Sequence, residues 1–169
     1  MELFTRDISF KTLQGEDGRL EIEGMMRDVR QGEPLRHIII RAEVDLVDGR
    51  IHSLEGEMPS ITYEECPEAL NILDKMVGEC IAPGFSEKVR KVVGSPEGCT
   101  HLSVLVTNLG HVSVQGRASM VTTLFEDVSD AREVIRQQAE ALGLPGSCYT
   151  WREGGPMMKR WKEKFIEGD

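Results

Sequence analysis

The sequence predicts an α+β protein: an N-terminal antiparallel sheet with C-terminal helices packed on one of its faces. Two observations carry this prediction. Up to Pro59, apolar and polar residues alternate, as they do in half-buried strands. After Pro59 the apolar spacing changes to the 3.6-residue period of amphipathic helices. Strands first and helices second is the order typical of α+β domains.

Two stretches give the strand prediction its strength. In RLEIEGMMRDV, the apolar residues Leu20, Ile22 and Met26 fall on one face, with charged residues on the other. HIIIRAEVDLV is the longest alternation in the chain. Its predicted core face is formed by every second residue, namely Ile38, Ile40, Ala42, Val44 and Leu46.

Asp48-Gly49 follows this second strand and predicts a two-residue hairpin. Both residue types tolerate the positive φ that a type I′ turn requires. Such a turn would pair Leu46 with Ile51 on the core face. On the outer face it would bring Asp45 and His52 together as a surface ion pair, which is a weak interaction.

Two short helices are predicted next. CPEALNILDKMV has Pro67 at its first helical position and Gly78 as its stop. Its apolar stripe is Leu70, Leu73, Met76 and Val77. GFSEKVRKVVG predicts a second helix, with Ser86 as the N-cap and Gly94 at its end.

A longer helix is predicted from Thr100, which is a suitable N-cap. Its core stripe consists of Leu102, Leu105, Val106, Leu109 and Val112. Gly110 and Gly116 weaken the helical propensity, so a break is expected near Gly116.

SDAREVIRQQAEALG predicts a further helix that Ser129 or Asp130 would cap and Gly143 would close. A short terminal helix is expected around residues 156–166. The predicted organisation is one α+β domain over residues 1–143 and a C-terminal tail over residues 144–169.

Composition narrows the class of partners. The chain has 169 residues and a formal net charge of -9, which argues against nucleic acid as a partner, because phosphates would repel it. The basic residues Lys159, Arg160, Lys162 and Lys164 are interpreted as the solvated face of the terminal helix. No apolar segment is long enough for an export signal or a membrane span. We therefore expect a cytoplasmic protein with four reduced cysteines; a homo-oligomer or a protein partner stays open.

One stretch carries candidate chemistry, the pentapeptide GCTHL. Cys99 lies at or just before a predicted helix N-terminus, where unpaired N–H groups and the helix dipole favour an anion such as a thiolate. His101 lies in the first turn, close enough to exchange a proton with Cys99 or to share a ligand with it. By itself the spacing is not that of a standard zinc site, and Cys99 and His101 could simply pack.

Cys66 also directly precedes a predicted helix, so two thiols could converge at the same end of the sheet. The first hypothesis is that Cys66, Cys99 and His101, with His37 as a further ligand, bind a soft metal such as zinc or an iron–sulfur species. The second is a thiol enzyme with Cys99 as nucleophile and His101 as base. The third is a binding or assembly module without chemistry.

From Asp17 to Gln115 the chain resembles a bacterial family of unknown function, domain family 2889. The resemblance is carried by DGRLEIEGMMRDV, by His37 before IIIRAEVD, by Cys66, by LDKMVGECIAPGFSEKVRKVVG and by GCTHL. Family members usually have Ile-His-Asp-Met where this chain has Arg-His-Ile-Ile. The resemblance implies no activity and marks His37, Cys66, Cys99 and His101 as motif positions.

A looser similarity is to iron–sulfur cluster scaffold proteins, which also place a cysteine after a sheet and a His/Cys pair at a later helix start. Cys66 and the pair Cys99 and His101 fall at analogous places. Those proteins usually have a third cysteine that Cys80 does not clearly match, and their histidine precedes the cysteine. The similarity therefore favours a thiolate metal site by analogy only.

Overall fold

The structure is a computed structural model and describes residues 1–15, 17–124, 136, 139–140 and 143–165. The α+β prediction is confirmed, since four strands come first and helices follow. The chain forms two compact units, Met1–Gly116 and Arg117–Asp169. The boundary predicted at residue 143 stays a prediction.

The sheet is an antiparallel meander in which each strand pairs with the next along the chain. Its strands are β1 (Phe4–Gln14), β2 (Leu20–Arg30), β3 (Glu33–Val44) and β4 (Ile51–Ser60), in the spatial order β1-β2-β3-β4. Strands β2 and β3 are therefore central, and β1 and β4 form the edges.

The tight hairpin lies between β2 and β3, not where the sequence predicts it. Gln31 and Gly32 have φ of 53° and 85°, and Arg30 pairs directly with Glu33. Two residues with positive φ are the requirement of a type I′ turn.

The turn predicted at Asp48-Gly49 is wrong in length and register. Asp45 N–H donates to the Arg50 carbonyl at 2.8 Å, so four residues form the loop, and Val44 instead of Leu46 pairs with Ile51. The Asp45 carboxylate accepts N–H bonds from residues 47 and 48 at 2.8 and 3.1 Å, which favours the wider loop. The predicted ion pair of Asp45 with His52 is confirmed at 3.8 Å.

One face of the sheet forms the core. The buried strand residues are Leu20, Ile22, Met26, Ile38, Ile40, Ala42, Val44, Ile51 and Leu54. They include the predicted core positions of β2 and β3 except Leu46, which lies in the loop and is half-buried. Burial of these aliphatic side chains is the main favourable term in folding this sheet.

The first helix, Cys66–Met76, is a 3₁₀ helix, with Pro67 in its first turn. The expected 3.6-residue period is therefore corrected to 3, the repeat at which side chains at i and i+3 align. Leu73 and Met76 are buried, whereas Val77 is 42% exposed because the chain turns extended there. Leu70 and Leu73 pack under Gly56 of β4, where a Cβ would lie 2.7 Å and 3.0 Å from them.

Helix α1 spans Phe85–Val92 and buries Phe85 and Val89. The predicted N-cap Ser86 is wrong by two residues. Gly84 occupies that position with φ of 94°, a conformation open to glycine and strained for serine.

Helix α2 spans Thr100–Leu124 without interruption, so the break expected near Gly116 is wrong. The stripe prediction is confirmed for Leu102, Leu105, Val106 and Leu109, all 0% exposed, while Val112 is half-buried. The glycines serve packing: a Cβ at Gly110 would lie 2.7 Å from the Phe85 ring, and one at Gly116 would lie 2.8 Å from Leu20.

The predicted helix from Ser129 or Asp130 lies largely outside the described residues. The terminal helix is confirmed as α3, Pro156–Phe165. Its Trp161 is 5% exposed and packs edge-on against Trp151 at a centroid distance of 6.4 Å. In the part of the chain that the structure describes, no helix is long and apolar enough to cross a membrane.

Candidate functional site

A pocket of about 140 Å³ lies where the start of β3 and the end of β4 meet the starts of the 3₁₀ helix and α2. Its chemistry-bearing residues are Arg36, Cys66, Cys99 and His101. The other lining residues are Ile38, Met58, Ser60, Ile61, Thr62 and Tyr63. None of the described residues that line the pocket is acidic, so its polar end is basic and thiol-bearing while its walls are largely apolar.

The backbone places Cys99 at the start of α2. Cys99 N–H donates to the Val93 carbonyl at 2.8 Å, and the Cys99 carbonyl accepts the first helical bond, from Ser103, at 2.9 Å. Gly98 allows the backbone to pass this close to Val93, because a Cβ at this position would lie 2.1 Å from the Val93 carbonyl oxygen. The helix therefore begins one residue earlier than predicted, with Cys99 in the capping position and Thr100 in the helix.

Cys99 and His101 are in contact. Cys99 Sγ lies 3.6 Å from His101 Nδ1, and both residues are partly buried. The thiol can therefore exchange its proton with the imidazole inside the pocket, at the positive end of α2.

His101 also meets Arg36 of β3. Arg36 Nη1 lies 2.8 Å from His101 Nδ1 and contacts Nε2 as well. A guanidinium has only donors, so the ring nitrogen that accepts from it must carry a lone pair. Burial lowers the pKa of His101, and the positive charges of Arg36 and Arg6 lower it further. Because its pKa is lowered below the usual range, this imidazole is neutral at pH 7.

Asp28 holds Arg36 in place. The strand register sets Arg6 of β1, Asp28 of β2 and Arg36 of β3 side by side on the core face. Asp28 is 0% exposed. It accepts two hydrogen bonds from Arg6, at 2.7 and 2.8 Å, and its Oδ2 lies 3.0 Å from Arg36 Nε. Two guanidinium groups thus share one carboxylate, which leaves one positive charge beside the pocket.

The electrostatics of Asp28 follow from these contacts. Hydrogen bonds from Arg6 are the largest cause of its lowered pKa, and the charges of Arg6 and Arg36 act in the same direction. Burial alone would raise it. Asp28 is therefore ionised over the whole physiological range.

The structure brings together three of the four residues predicted for a metal site. Cys66, Cys99 and His101 line the same pocket. His37 does not join them, because it pairs with Arg27 on the opposite face of the sheet from Arg36. Within the described ranges, no three histidine, cysteine or carboxylate side chains lie close enough to hold one metal ion.

The other cysteines lie outside this pocket. Cys80 is half-buried beside the β3–β4 loop, and Cys148 is exposed, with a pKa lowered by the backbone N–H groups of Trp151 and Thr150. Beyond His101, the polar side of α2 is largely solvated: His111 and Gln115 are exposed, and Asn108 bonds to the Val104 carbonyl.

A larger hollow, about 390 Å³, lies on the outer face of the sheet. Its charged side chains already pair with one another: Glu23 binds Lys11 at 2.8 Å and Arg41 at 2.9 Å. These exposed pairs are typical of a solvated sheet face.

The sequence did not predict Arg6, Asp28 and Arg36 as site residues. A signal was present in β2, where the core-face series Leu20, Ile22 and Met26 continues to Asp28. A carboxylate at a core position needs cationic partners, and neighbouring strands are where they lie.

The match to known proteins covers the part of the chain that forms this site. Residues 4–115 match the model of a family described as Protein of unknown function (DUF2889). The chain belongs to this family. No curated protein and no solved structure matches the chain. The DUF2889 family membership confirms the resemblance found in the sequence, and the likeness to iron–sulfur scaffold proteins has no support in these comparisons.

Proposed function

We propose that the pocket is a thiol-dependent site that binds a small molecule covalently, with Cys99 as nucleophile and His101 as its proton acceptor. The observation that carries the proposal is the 3.6 Å contact between Cys99 Sγ and His101 Nδ1 inside a pocket at a helix N-terminus. A positioned base and an adjacent thiol are the two parts that nucleophilic cysteine catalysis needs.

The surroundings of His101 support the role of base. Its lowered pKa keeps the imidazole neutral, and the neutral form is the one that accepts a proton. The sulfur would then attack an electrophilic carbon, forming an S–C bond, while the leaving group departs with its electron pair and takes the proton from the imidazolium.

The pocket limits the ligand to a small molecule. At about 140 Å³ it is close in size to a cavity of about 150 Å³ that holds one benzene molecule. Its aliphatic walls, Ile38, Met58 and Ile61, suit a short apolar body. The cytoplasmic location predicted from the sequence belongs to this proposal, since a reducing compartment keeps such a thiol free.

Selective alkylation tests the proposal. The test uses the Cys148→Ser variant, which removes the exposed thiol of lowered pKa. Treating this folded variant with limiting iodoacetamide at pH 7 and mapping the product by peptide mass spectrometry should label Cys99 ahead of Cys66 and Cys80. His101→Gln should slow labelling of Cys99 by about a hundredfold, the low end of what a positioned base contributes. His111→Gln, an exposed histidine of the same helix, is the matched control. Equal labelling of all accessible cysteines contradicts the proposal.

A soft-metal site is the second candidate, because Cys66, Cys99 and His101 line one pocket. Within the described residues they do not lie close enough to hold one ion as they stand, so metal binding would require their side chains to move together. Two thiolates and an imidazole suit zinc or an iron–sulfur species. Anaerobic purification followed by metal and sulfide analysis decides it. Metal that is retained by the wild type and lost in Cys66→Ser supports this candidate. A protein that takes up neither zinc nor iron rules it out.

The third interpretation, a binding or assembly module in which these side chains only pack, makes the opposite prediction. Cys99→Ser and His101→Ala would then leave both fold and ligand binding unchanged.

A further inference from the structure

The pocket has a hydrogen-bond donor that the proton exchange between Cys99 and His101 does not use. Arg36 Nε lies 3.0 Å from Asp28 Oδ2 as an ion pair, without hydrogen-bond geometry, and Nη1 contacts His101. Its third nitrogen, Nη2, donates to no residue in the described part of the chain. A guanidinium that lines a pocket with free N–H groups is suited to an anion, carboxylates above all.

The charge around Arg36 also favours the binding of an anion. Asp28 is shared between Arg6 and Arg36, so it neutralises only one of the two guanidinium groups. Among the described residues, no carboxylate lines the pocket to supply the missing charge. An incoming anion would therefore meet an uncompensated positive charge in a partly desolvated place, where charge-assisted hydrogen bonds are strong.

Resting on the proposed function, we infer that the site takes small carboxylates whose electrophilic carbon is adjacent to the carboxylate group, with Arg36 Nη2 as the anion-binding donor. Asp28 and Arg6 act as positioning residues, since they fix the guanidinium without lining the pocket. Cys99 and Arg36 both touch His101, so a bound carboxylate and the reacting sulfur are separated by little more than one side chain.

Iodoacetate and iodoacetamide form a matched pair of probes, because they have nearly the same size and differ in charge. In each reaction a bond forms between Cys99 Sγ and the methylene carbon, the carbon–iodine bond breaks, and iodide leaves with the electron pair. The thiol proton passes to His101 and then to solvent. Ordinary thiols react more slowly with iodoacetate, which is an anion, than with iodoacetamide. A preference of Cys99 for iodoacetate would therefore show that the pocket binds the carboxylate.

The measurement is the ratio of the two alkylation rates at Cys99, iodoacetate over iodoacetamide, in the folded protein and in the urea-unfolded chain. We expect folding to raise the ratio by about tenfold, the size of one charge-assisted hydrogen bond. Arg36→Gln should return the ratio to its unfolded value. Arg41→Gln removes the same charge from the other face of β3 and should leave the ratio at its wild-type value.

A second readout needs no variant and so stands even if Arg36→Gln fails to fold. Propionate should protect Cys99 of the wild type against iodoacetamide, and propionamide of the same size should not. An unchanged rate ratio on folding, or equal protection by the two compounds, overturns the inference. If Cys99 is no faster than Cys66 and Cys80 toward neutral iodoacetamide, the proposed function itself fails, which is a separate outcome.

Discussion

Asp28 is the residue at which the fold and the candidate site meet. It is fully buried, it accepts two hydrogen bonds from Arg6, and it lies beside Arg36, whose other end contacts His101. Removing the carboxylate would leave two guanidinium groups without a counter-charge in a poorly solvated place. Breaking such a pair is costly because the Arg36 side chain, at 18% exposed, stays largely out of solvent.

Asp28→Asn should therefore lower the free energy of unfolding at pH 7 by about 3 kcal/mol. The carboxylate has a lowered pKa in the folded state, so its contribution is present above its ordinary value of 3.8 and is lost as the pH falls below it. Urea denaturation between pH 7 and pH 2 should show that the free energy of unfolding falls less on acidification in Asp28→Asn than in the wild type. Asp7→Asn, an exposed carboxylate of β1, should change stability by less than about 0.5 kcal/mol. Parallel pH profiles for Asp28→Asn and the wild type would contradict this account.

At the same scale, residue type and spacing were enough to identify Cys99, His101 and Cys66 as neighbours of two helix starts. They were not enough to find Arg36. Its role depends on the register of β2 against β3, which sets it opposite Asp28, and on the position of α2 above that pair. Spacing along a single strand does not contain either fact.

Helix α2 shows how packing overrides propensity at the level of an element. Gly110 lies against the ring of the buried residue Phe85, and the helix continues through it. Propensity alone predicted a weak or broken helix. The close approach of α1 to α2 requires a residue without a side chain at this position. A single sequence does not show whether a glycine in a helical pattern meets such a packing requirement or ends the helix.

Gly110→Ala should consequently destabilise the protein, by about 1–3 kcal/mol, although alanine favours a helix over glycine by about 1 kcal/mol. The added Cβ would lie 2.7 Å and 2.8 Å from two atoms of the Phe85 ring, which the core holds in place. Thermal and urea unfolding provide the measurement. His111→Ala, at the next and exposed position, should be within about 0.5 kcal/mol of the wild type. A more stable Gly110→Ala variant would show that α1 and α2 are not packed this closely.

Among the other elements, alternation predicted the faces of β2 and β3 but not the loops between strands. The β3–β4 loop is wide because the Asp45 side chain accepts backbone N–H groups within it. The first helix is a 3₁₀ helix, whose period of three differs too little from 3.6 for a short apolar pattern to separate them.

On the scale of the whole molecule, the strands of the meander differ in how well their amides are protected from hydrogen exchange. Strands β2 and β3 are paired on both sides and contain most of the buried sheet residues. Strand β1 is an edge, and several of its apolar side chains are exposed, among them Phe4 at 48% and Leu13 at 51%. Edge strands open by smaller fluctuations than central ones.

Native-state hydrogen exchange should therefore rank the strands. Amides of β2 that pair with β3 should exchange slowest, near the rate set by global unfolding, and amides at the ends of β1 should exchange fastest. Slower exchange in β1 than in β3 would require a partner along that edge or a different strand order.

The order of strands and helices was predictable at this scale because hydrophobic period and chain order suffice for an α+β class. The division into two compact units was not, because α2 runs without interruption through the boundary between Gly116 and Arg117. No composition change or linker marks that point in the sequence.

The most direct test of the account is a crystal structure of the protein after stoichiometric reaction with iodoacetate. We expect a carboxymethyl group on Cys99, lying in the pocket, with its carboxylate within hydrogen-bonding distance of Arg36 and the imidazole of His101 beside the sulfur. A carboxymethyl group found on another cysteine, or on Cys99 but turned away from Arg36, would contradict it.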